Sequence, residues 1–201
     1  MIQADLHIHT AYSADASIQP KNLVDQLYAH SFIKTIAITD HNTIEGYHKV
    51  SKLASPYEDI LIIPGIEVST TEGDLIILGI PEVPQKPLTI GNVIDFSRER
   101  SGLVIVPHAY RANGLGDLAK EYKVDAIETL NGSSPLNLNR MAENLAKEMG
   151  LSGVAGSDAH TTKQLWTVYS EIQASSNIDE ILKAIKQGFV KVASSPKSIG
   201  F

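Results

Sequence analysis

Residues 2–10 read Ile2-Gln-Ala-Asp5-Leu-His7-Ile-His9-Thr10, a short apolar run that ends in carboxylate and imidazole. The run has the composition of a buried strand, and side-chain alternation lets His7 and His9 project to the same side. The pattern recurs. Strand-like stretches also lead into Thr39-Asp40-His41-Asn42, Gly65-Ile66-Glu67, Pro107-His108-Ala109 and Gly156-Ser157-Asp158-Ala159-His160. Imidazole plus carboxylate is the ligand mixture of divalent ions such as zinc, manganese and iron. The motifs together offer more of these side chains than one ion can coordinate, so the expectation is a multinuclear metal enzyme.

Working outward, β-branched apolar runs predict strands over 2–6, 35–39, 60–64, 75–78, 103–106, 126–130, 152–155, 168–172 and 189–192. Helices are expected near 20–31, 44–55, 89–101, 115–122, 135–149 and 178–187. Ser134-Pro135 resembles an N-cap followed by proline, and Gly150 and Gly188 resemble C-terminal glycines. Alternating strands and helices predict a mostly parallel sheet covered by helices, in one domain over 1–201 with no interdomain linker. Each candidate ligand stands at or just after the C-terminal end of a predicted strand. In a closed parallel barrel those ends converge on one face, so ligands some 150 positions apart can meet there.

Bulk composition narrows the function classes. Apolar residues make up 43% of the 201 positions and charged residues 20%, enough for a substantial core. A net charge of −6 argues against a general nucleic-acid surface, although bound cations would reverse the local field for an anionic substrate. Cysteine is absent, which removes disulfides and thiolate ligands. The start lacks a basic region followed by an apolar run, and no apolar stretch approaches the roughly 20 residues that cross a bilayer. A soluble cytoplasmic protein with no membrane partner is expected.

Each motif also has a purely structural reading. His7-x-His9 and Asp158-x-His160 could be half-buried polar pairs at strand ends. Glu67 could form a buried ion pair with Arg98 or Arg111, and His108 could be a hydrogen-bonded core histidine. Five motifs placed alike on one predicted face favour metals. His30 and His48 lie on helical stretches away from any carboxylate cluster and receive no role. Trp166, Tyr169 and Tyr122 read as packing residues, and Glu143–Lys147 as an exposed ion pair.

The segments DLHIHTAYSAD, TDHNT, GIEVST, PHAY, ETLNGS and GSDAH, in this order from Asp5 to His160, resemble the PHP family, named for polymerase and histidinol phosphatase domains. The resemblance implies a distorted (β/α)₇ TIM-like barrel with a two- or three-metal phosphoesterase site on its C-terminal face. It implies that His7, His9, Glu67 and Asp158 hold a first divalent ion. Glu67 would bridge to a second ion that also takes His108, and Asp15, His41 and His160 would form a third site. Asp40 is expected to orient a ligand. Where many trinuclear members supply another histidine to the second ion, this chain offers Glu128 or Asn131. Asp74 stands where many small-molecule relatives have histidine.

The expected reaction is hydrolysis of a phosphate ester of a small molecule. Two cations would lower the pKa of a shared water, and the hydroxide would attack phosphorus. Asp40, Glu67, Asp158 and His160 are the expected catalytic group. Arg111 is the best candidate for binding phosphate, with Asn131, Arg140 and Lys163 as further candidates. A nuclease acting on single-stranded or terminal phosphodiesters is the alternative, and a non-catalytic PHP interaction module a third. The span from Thr70 to Val106 leaves no residues for a cap over the site, so the mouth is expected to be open.

Overall fold

The stretch from 61 to 78 departs furthest from a simple alternation of parallel strands and helices. In a computed structural model, which describes residues 1–196, β1 (Ile2–Asp5), β2 (Thr35–Ile38) and β3 (Leu61–Ser69) pair in parallel. Only a tight turn separates β3 from β4 (Asp74–Leu78), and a parallel crossover needs a dozen or more residues, so β4 is antiparallel. β5 (Leu103–Val106) pairs antiparallel with β4, and β6 (Ala126–Asn131) and β7 (Ser152–Gly156) follow in parallel. β3 also runs past its expected end at 64. Pro64 is the last residue paired with β2, and from Gly65 onward the strand pairs with β4. β3 lies between the two, still bridging the chain past β2 at His41–Glu67, and a Cβ at Gly65 would come within 2.8 Å of both the Ile38 carbonyl oxygen and Leu78, so only glycine fits there.

The ring closes where the chain leaves β1 and β7. Ile8 bridges Ala159 in parallel, Asp158 N–H donates to the His7 carbonyl (2.8 Å), and His9 N–H donates to that of Ala159 (3.0 Å). At the opposite end β8 (Val168–Ile172) lies antiparallel beside β1, with β9 (Val190–Ser194) outside it. The Ser170 hydroxyl ties β8 to both the N–H (2.8 Å) and the carbonyl (3.2 Å) of Ala155 in β7. The result is the expected distorted barrel of seven principal strands, with an antiparallel member at β4.

Alternation decides which side chains fill the ring. Leu6, Ala37, Ile63, Ile76, Leu78, Leu103, Ile105, Ala126 and Val154 form one buried cluster with Ile181, Leu182 and Ile185 of α5 (Ile178–Lys186). This cluster is the barrel interior. A Cβ at Gly79, just past the end of β4, would meet Leu182, which places α5 across the bottom of the barrel. On the outer face α1 (Pro20–Ala29) and α2 (Glu45–Ala54) pack over β2, Ile62 of β3 and Ile8 just past β1, while α3 (Ile90–Glu99) and α4 (Leu136–Met149) cover β3 to β6. With the bottom plugged, the interior opens at the C-terminal face.

Two local expectations need correction. Pro135 keeps an extended backbone (φ −56°, ψ 145°) and itself occupies the cap of α4, so Ser134 lies outside the helix. The helix expected over 115–122 is a 3₁₀ segment, Gly116–Glu121, whose first residue has left-handed φ (53°) and cannot open an α-turn. His30 is the C-cap of α1, where its Nδ1 accepts from Ile33 N–H (3.0 Å). Gly150 does end α4 in the left-handed region, and Gly188 follows α5 likewise. Lys147 reaches Glu143 at 2.6 Å on the exposed face of α4. Trp166 and Tyr169 pack beside α1 and α2, and Tyr122 under the other outer layer. No described helix is long and apolar enough to cross a membrane.

Candidate metal centre

At the mouth, four donors converge from three strands. The Nε2 atoms of His7 and His9 face each other at 3.0 Å. Glu67 Oε2 lies 3.3 Å from the first and 3.1 Å from the second, and Asp158 Oδ1 lies 3.4 Å from each. A tetrahedron of ligands at about 2.0–2.1 Å from a central ion has edges of about 3.3–3.4 Å. Five measured edges of this donor set lie at or slightly below that length, so the residues fit a divalent ion. All four are buried. The structural reading of Glu67 as an ion pair fails: Arg111 pairs with Asp158, and Arg98 reaches the Lys123 carbonyl.

The protein sets the tautomers of both imidazoles. Glu128 Oε1 lies 3.0 Å from His7 Nδ1, and its Oε2 accepts from His108 N–H (2.8 Å) and Asn131 Nδ2 (2.9 Å). A carboxylate only accepts, so His7 Nδ1 carries the proton and Nε2 presents its lone pair to the donor set. Asp40 acts through an intermediary. Its Oδ1 accepts from Thr10 N–H (2.7 Å) and Ser13 Oγ (2.8 Å). With its proton committed to Asp40, Ser13 Oγ accepts from His9 Nδ1 (3.1 Å) and His41 N–H (3.0 Å). Asp40 is fully buried and does not line the cleft, so it positions His9 rather than touching the reacting atoms. Gly156 allows this packing: a Cβ there would stand 2.3 Å from His7 Cβ and 2.7 Å from Glu128 Oε1.

Electrostatics in this cluster are strongly coupled. Burial alone would depress the pKa of His7, but Asp158, Glu128 and Glu67 together hold it well above the usual imidazole value. Burial likewise opposes charge on Glu67 and Asp158, yet the facing histidines hold both carboxyls well below their ordinary range. A buried assembly of this kind binds protons when no cation is present, and a divalent ion supplies the same compensation.

Two further donor groups adjoin the first. Glu67 Oε1 meets His108 Nε2 at 2.9 Å, and Asp74 joins these two within mutual reach of one ion. Burial and the neighbouring Glu67 carboxylate push the Asp74 pKa up. On the other side, Asp15 Oδ2 lies 3.5 Å from His41 Nε2 and 3.3 Å from His160 Nε2. His160 Nδ1 faces the Asp158 carbonyl (3.0 Å), which directs Nε2 outward to Asp15. His41 Nδ1 is buried without a hydrogen bond and stands 3.3 Å from Glu67 Oε2, as two donors flanking a cation would. His9, His41 and His160 are also close enough to share an ion. His108 and Asp158 both adopt positive φ (30° and 52°), a conformation unfavourable for side chains larger than glycine and concentrated at functional sites.

The donors line a cleft of about 130 Å³ together with Arg111, Ala112 and Asn113. Arg111 Nη1 sits 2.5 Å from Asp158 Oδ2, the oxygen turned away from the histidines. The structure does not bring the other expected substrate contacts to the cleft. Asn131 is buried, its amide donating to Glu128 and Asp158 and accepting from Ser133 N–H, so no edge remains for substrate. Arg140 projects into solvent from α4, and Lys163 lines a separate groove with His30 and Trp166. His48 is exposed on α2. The positioning role of Ser13 was missed in the sequence, where a serine four residues after a histidine carries no distinctive signal.

Known proteins place this arrangement. The family described as PHP-associated matches residues 137–190, from α4 to the start of β9. Over 142 residues the chain is 34% identical to an uncharacterized protein of Methanocaldococcus jannaschii, covering 65% of this chain and 82% of that one. PsfC from Pseudomonas syringae superposes with a TM-score of 0.72 at 17% identity, over 98% of this chain and 93% of the other. A protein from Bifidobacterium adolescentis, assigned as a metal-dependent phosphoesterase, superposes with a TM-score of 0.63 at 14% identity, over 78% and 87%. Barrel, ordered motifs and relatives agree, and the chain belongs to the PHP family.

Proposed function

We propose that this protein hydrolyses phosphate monoesters of small molecules with the help of two or three divalent ions. The observation that carries the reading is the convergence of four buried donors, His7, His9, Glu67 and Asp158, at the mouth of a cleft walled by Arg111. The Bifidobacterium adolescentis protein assigned as a metal-dependent phosphoesterase, which shares the fold, supports it. Divalent ions bound there would neutralise phosphoryl charge and acidify the attacking water. The chain's own groups then have distinct tasks. Arg111 offers a planar, charged donor to phosphate oxygens while holding Asp158 by its outer oxygen. His7 and His9 keep their Nε2 lone pairs inward because Glu128 and Ser13 hold their Nδ1 protons. The buried walls limit water around the phosphate, although no cap is formed among the described residues: between β3 and β5 the chain forms only β4, the 81–87 loop and α3.

Among the described residues the cleft lining contains no Phe, Tyr or Trp, and Arg111 is its one Lys or Arg side chain. Such a lining recognises the phosphate far more than its leaving group, which favours broad and modest activity. It also lacks the aromatic and basic track that holds single-stranded nucleic acid. Nucleoside monophosphates are the first class to assay, beside sugar phosphates and a short oligonucleotide, after chelation and re-addition of manganese or zinc. Phosphate release that is abolished by chelation and falls at least a hundredfold in Glu67→Gln, but not in His48→Ala, is the expected result. Activity insensitive to both would overturn the reading. A hundredfold higher kcat/KM on the oligonucleotide, about 2.7 kcal/mol of transition-state preference, would make the protein a nuclease.

A further inference from the structure

We infer that Asn139 of α4, which does not line the cleft, is a positioning residue for the centre: it fixes Asn131, whose amide holds both Asp158 and the Glu128 carboxylate behind His7. The inference rests on the metal-centre reading above, not on the identity of the substrate.

Asn139 is a polar residue on the buried stripe of α4, beside Ala142, Leu145 and Ala146, and such a residue calls for a partner. Its partner is the end of β6. The N–H and C=O of one strand residue face the same neighbour, yet among the described residues β5 pairs with β6 only through Ala126 and Ile127. At Asn131 the side chain of Asn139 replaces the missing strand. Its Oδ1 accepts from Asn131 N–H (3.1 Å) and its Nδ2 donates to the Asn131 carbonyl (3.0 Å). Both residues are buried, so water is a poor substitute for either bond. A carboxylate would set a second oxygen against that carbonyl, and a methyl group would leave both backbone groups unpaired.

What Asn139 fixes reaches the donors in two directions. Residues three apart on a regular strand point to opposite faces, but in β6 the register to β7 shifts between Glu128 and Leu130. This bulge turns Glu128 and Asn131 to the same side. Asn131 Nδ2 then donates to Glu128 Oε2 (2.9 Å) and to Asp158 Oδ2 (3.3 Å), while its Oδ1 accepts from Ser133 N–H (2.9 Å). One amide thus serves the carboxylate that orients His7 and the carboxylate that faces the histidines. The other partner of Asp158 Oδ2 is Arg111, whose side chain is 39% exposed, so Asn131 is the buried hold on Asp158. Asp158 needs such a hold, because its left-handed φ of 52° persists only where the surroundings enforce it.

Titration of apo-protein with cobalt(II) tests this, because the visible bands of the bound ion report ligand geometry independently of any activity. Circular dichroism and Tm report the fold. Asn139→Ala is expected to fold, to bind cobalt more weakly by about tenfold or more, and to show altered visible bands. In an Asn131→Ala background the backbone bonds to Asn139 remain but the amide is gone. There Asn139→Ala should still lower Tm and should no longer change cobalt affinity. Asn139→Asp keeps the size and the acceptor but cannot donate; it should weaken binding likewise, and it serves if the alanine variant fails to fold. A folded Asn139→Ala or Asn139→Asp with lowered Tm but wild-type cobalt affinity and spectrum would make Asn139 a stabiliser only and overturn the inference. An undiminished effect on affinity in the Asn131→Ala background would overturn it as well. Wild-type protein that binds no cobalt would sink the metal-centre reading itself, whereas wild-type binding that the variants leave intact would sink this inference alone.

Discussion

Glu128 Oε1 lies 3.0 Å from His7 Nδ1, on the side of the imidazole opposite the edge that meets His9, Glu67 and Asp158. Three donors point at this one carboxylate: the His7 ring N–H, the His108 backbone N–H and the Asn131 amide. An amide in its place must turn its own NH₂ toward a donor whichever way it is flipped. Glu128→Gln should therefore lower metal affinity by roughly 10–100-fold, as loss of a partner that orients a ligand does, while the fold persists. Titration of apo-protein with zinc, with circular dichroism as the fold control, checks it. Wild-type affinity would show that His7 needs no such orientation.

Ser13 should prove as consequential as the residue it serves. Ser13→Ala removes the acceptor for His9 Nδ1 and one of the hydrogen bonds to the buried Asp40 carboxylate. A buried group left unpaired costs about 1–3 kcal/mol, so both thermal stability and metal affinity should fall. The informative measurement is a double-mutant cycle with Asp40→Asn. Strong non-additivity is expected because the two act through one relay, and simple additivity would mean that they do not.

Gly156→Ala should destabilise the protein out of proportion to its one methyl group. The added carbon would meet His7 Cβ at 2.3 Å and the His7 backbone nitrogen at 2.9 Å, both on a fixed strand end. Overpacking of this kind costs about 1–3 kcal/mol, or several degrees in Tm for a chain of this size. Gly91→Ala on α3, where nothing lies within 4 Å, is the control and should be neutral or stabilising. Equal melting temperatures for the two variants would contradict the packing around His7.

Metal binding should release protons, and affinity should rise with pH. The pKa of His7 is held above its ordinary value, and that of His9 is raised in the same direction, so in apo-protein protons are retained near neutrality and must leave before both lone pairs can bind a cation. Lowering the pH adds protons that compete with the ion. Calorimetry in two buffers of different ionisation enthalpy, at about pH 6 and about pH 8, reads the number released. Binding with no net proton release at either pH would contradict the electrostatic account of the cluster.

The sequence by itself determined the strand and helix order, because apolar runs and their interruptions are local properties. It determined the principal ligand motifs as well, since a strand that ends in imidazole or carboxylate carries its chemistry to the rim of a barrel whichever neighbours it finds. His7, His9, Glu67, His108 and Asp158 were legible on that ground. Only the tertiary structure decided what depends on strand direction and pairing. The rule that cleft residues follow strand ends passes over Asp74, which lines the cleft from the start of its strand, because β4 alone among the strands around the donors runs the other way. The division between ligands and their supports was only partly legible. Asp40 was expected to orient a ligand, but that it reaches His9 through Ser13, and that Glu128 meets the outer nitrogen of His7, depends on the tertiary structure. Residue type specifies what a side chain can bind; which nitrogen or oxygen it faces is set by register and barrel closure.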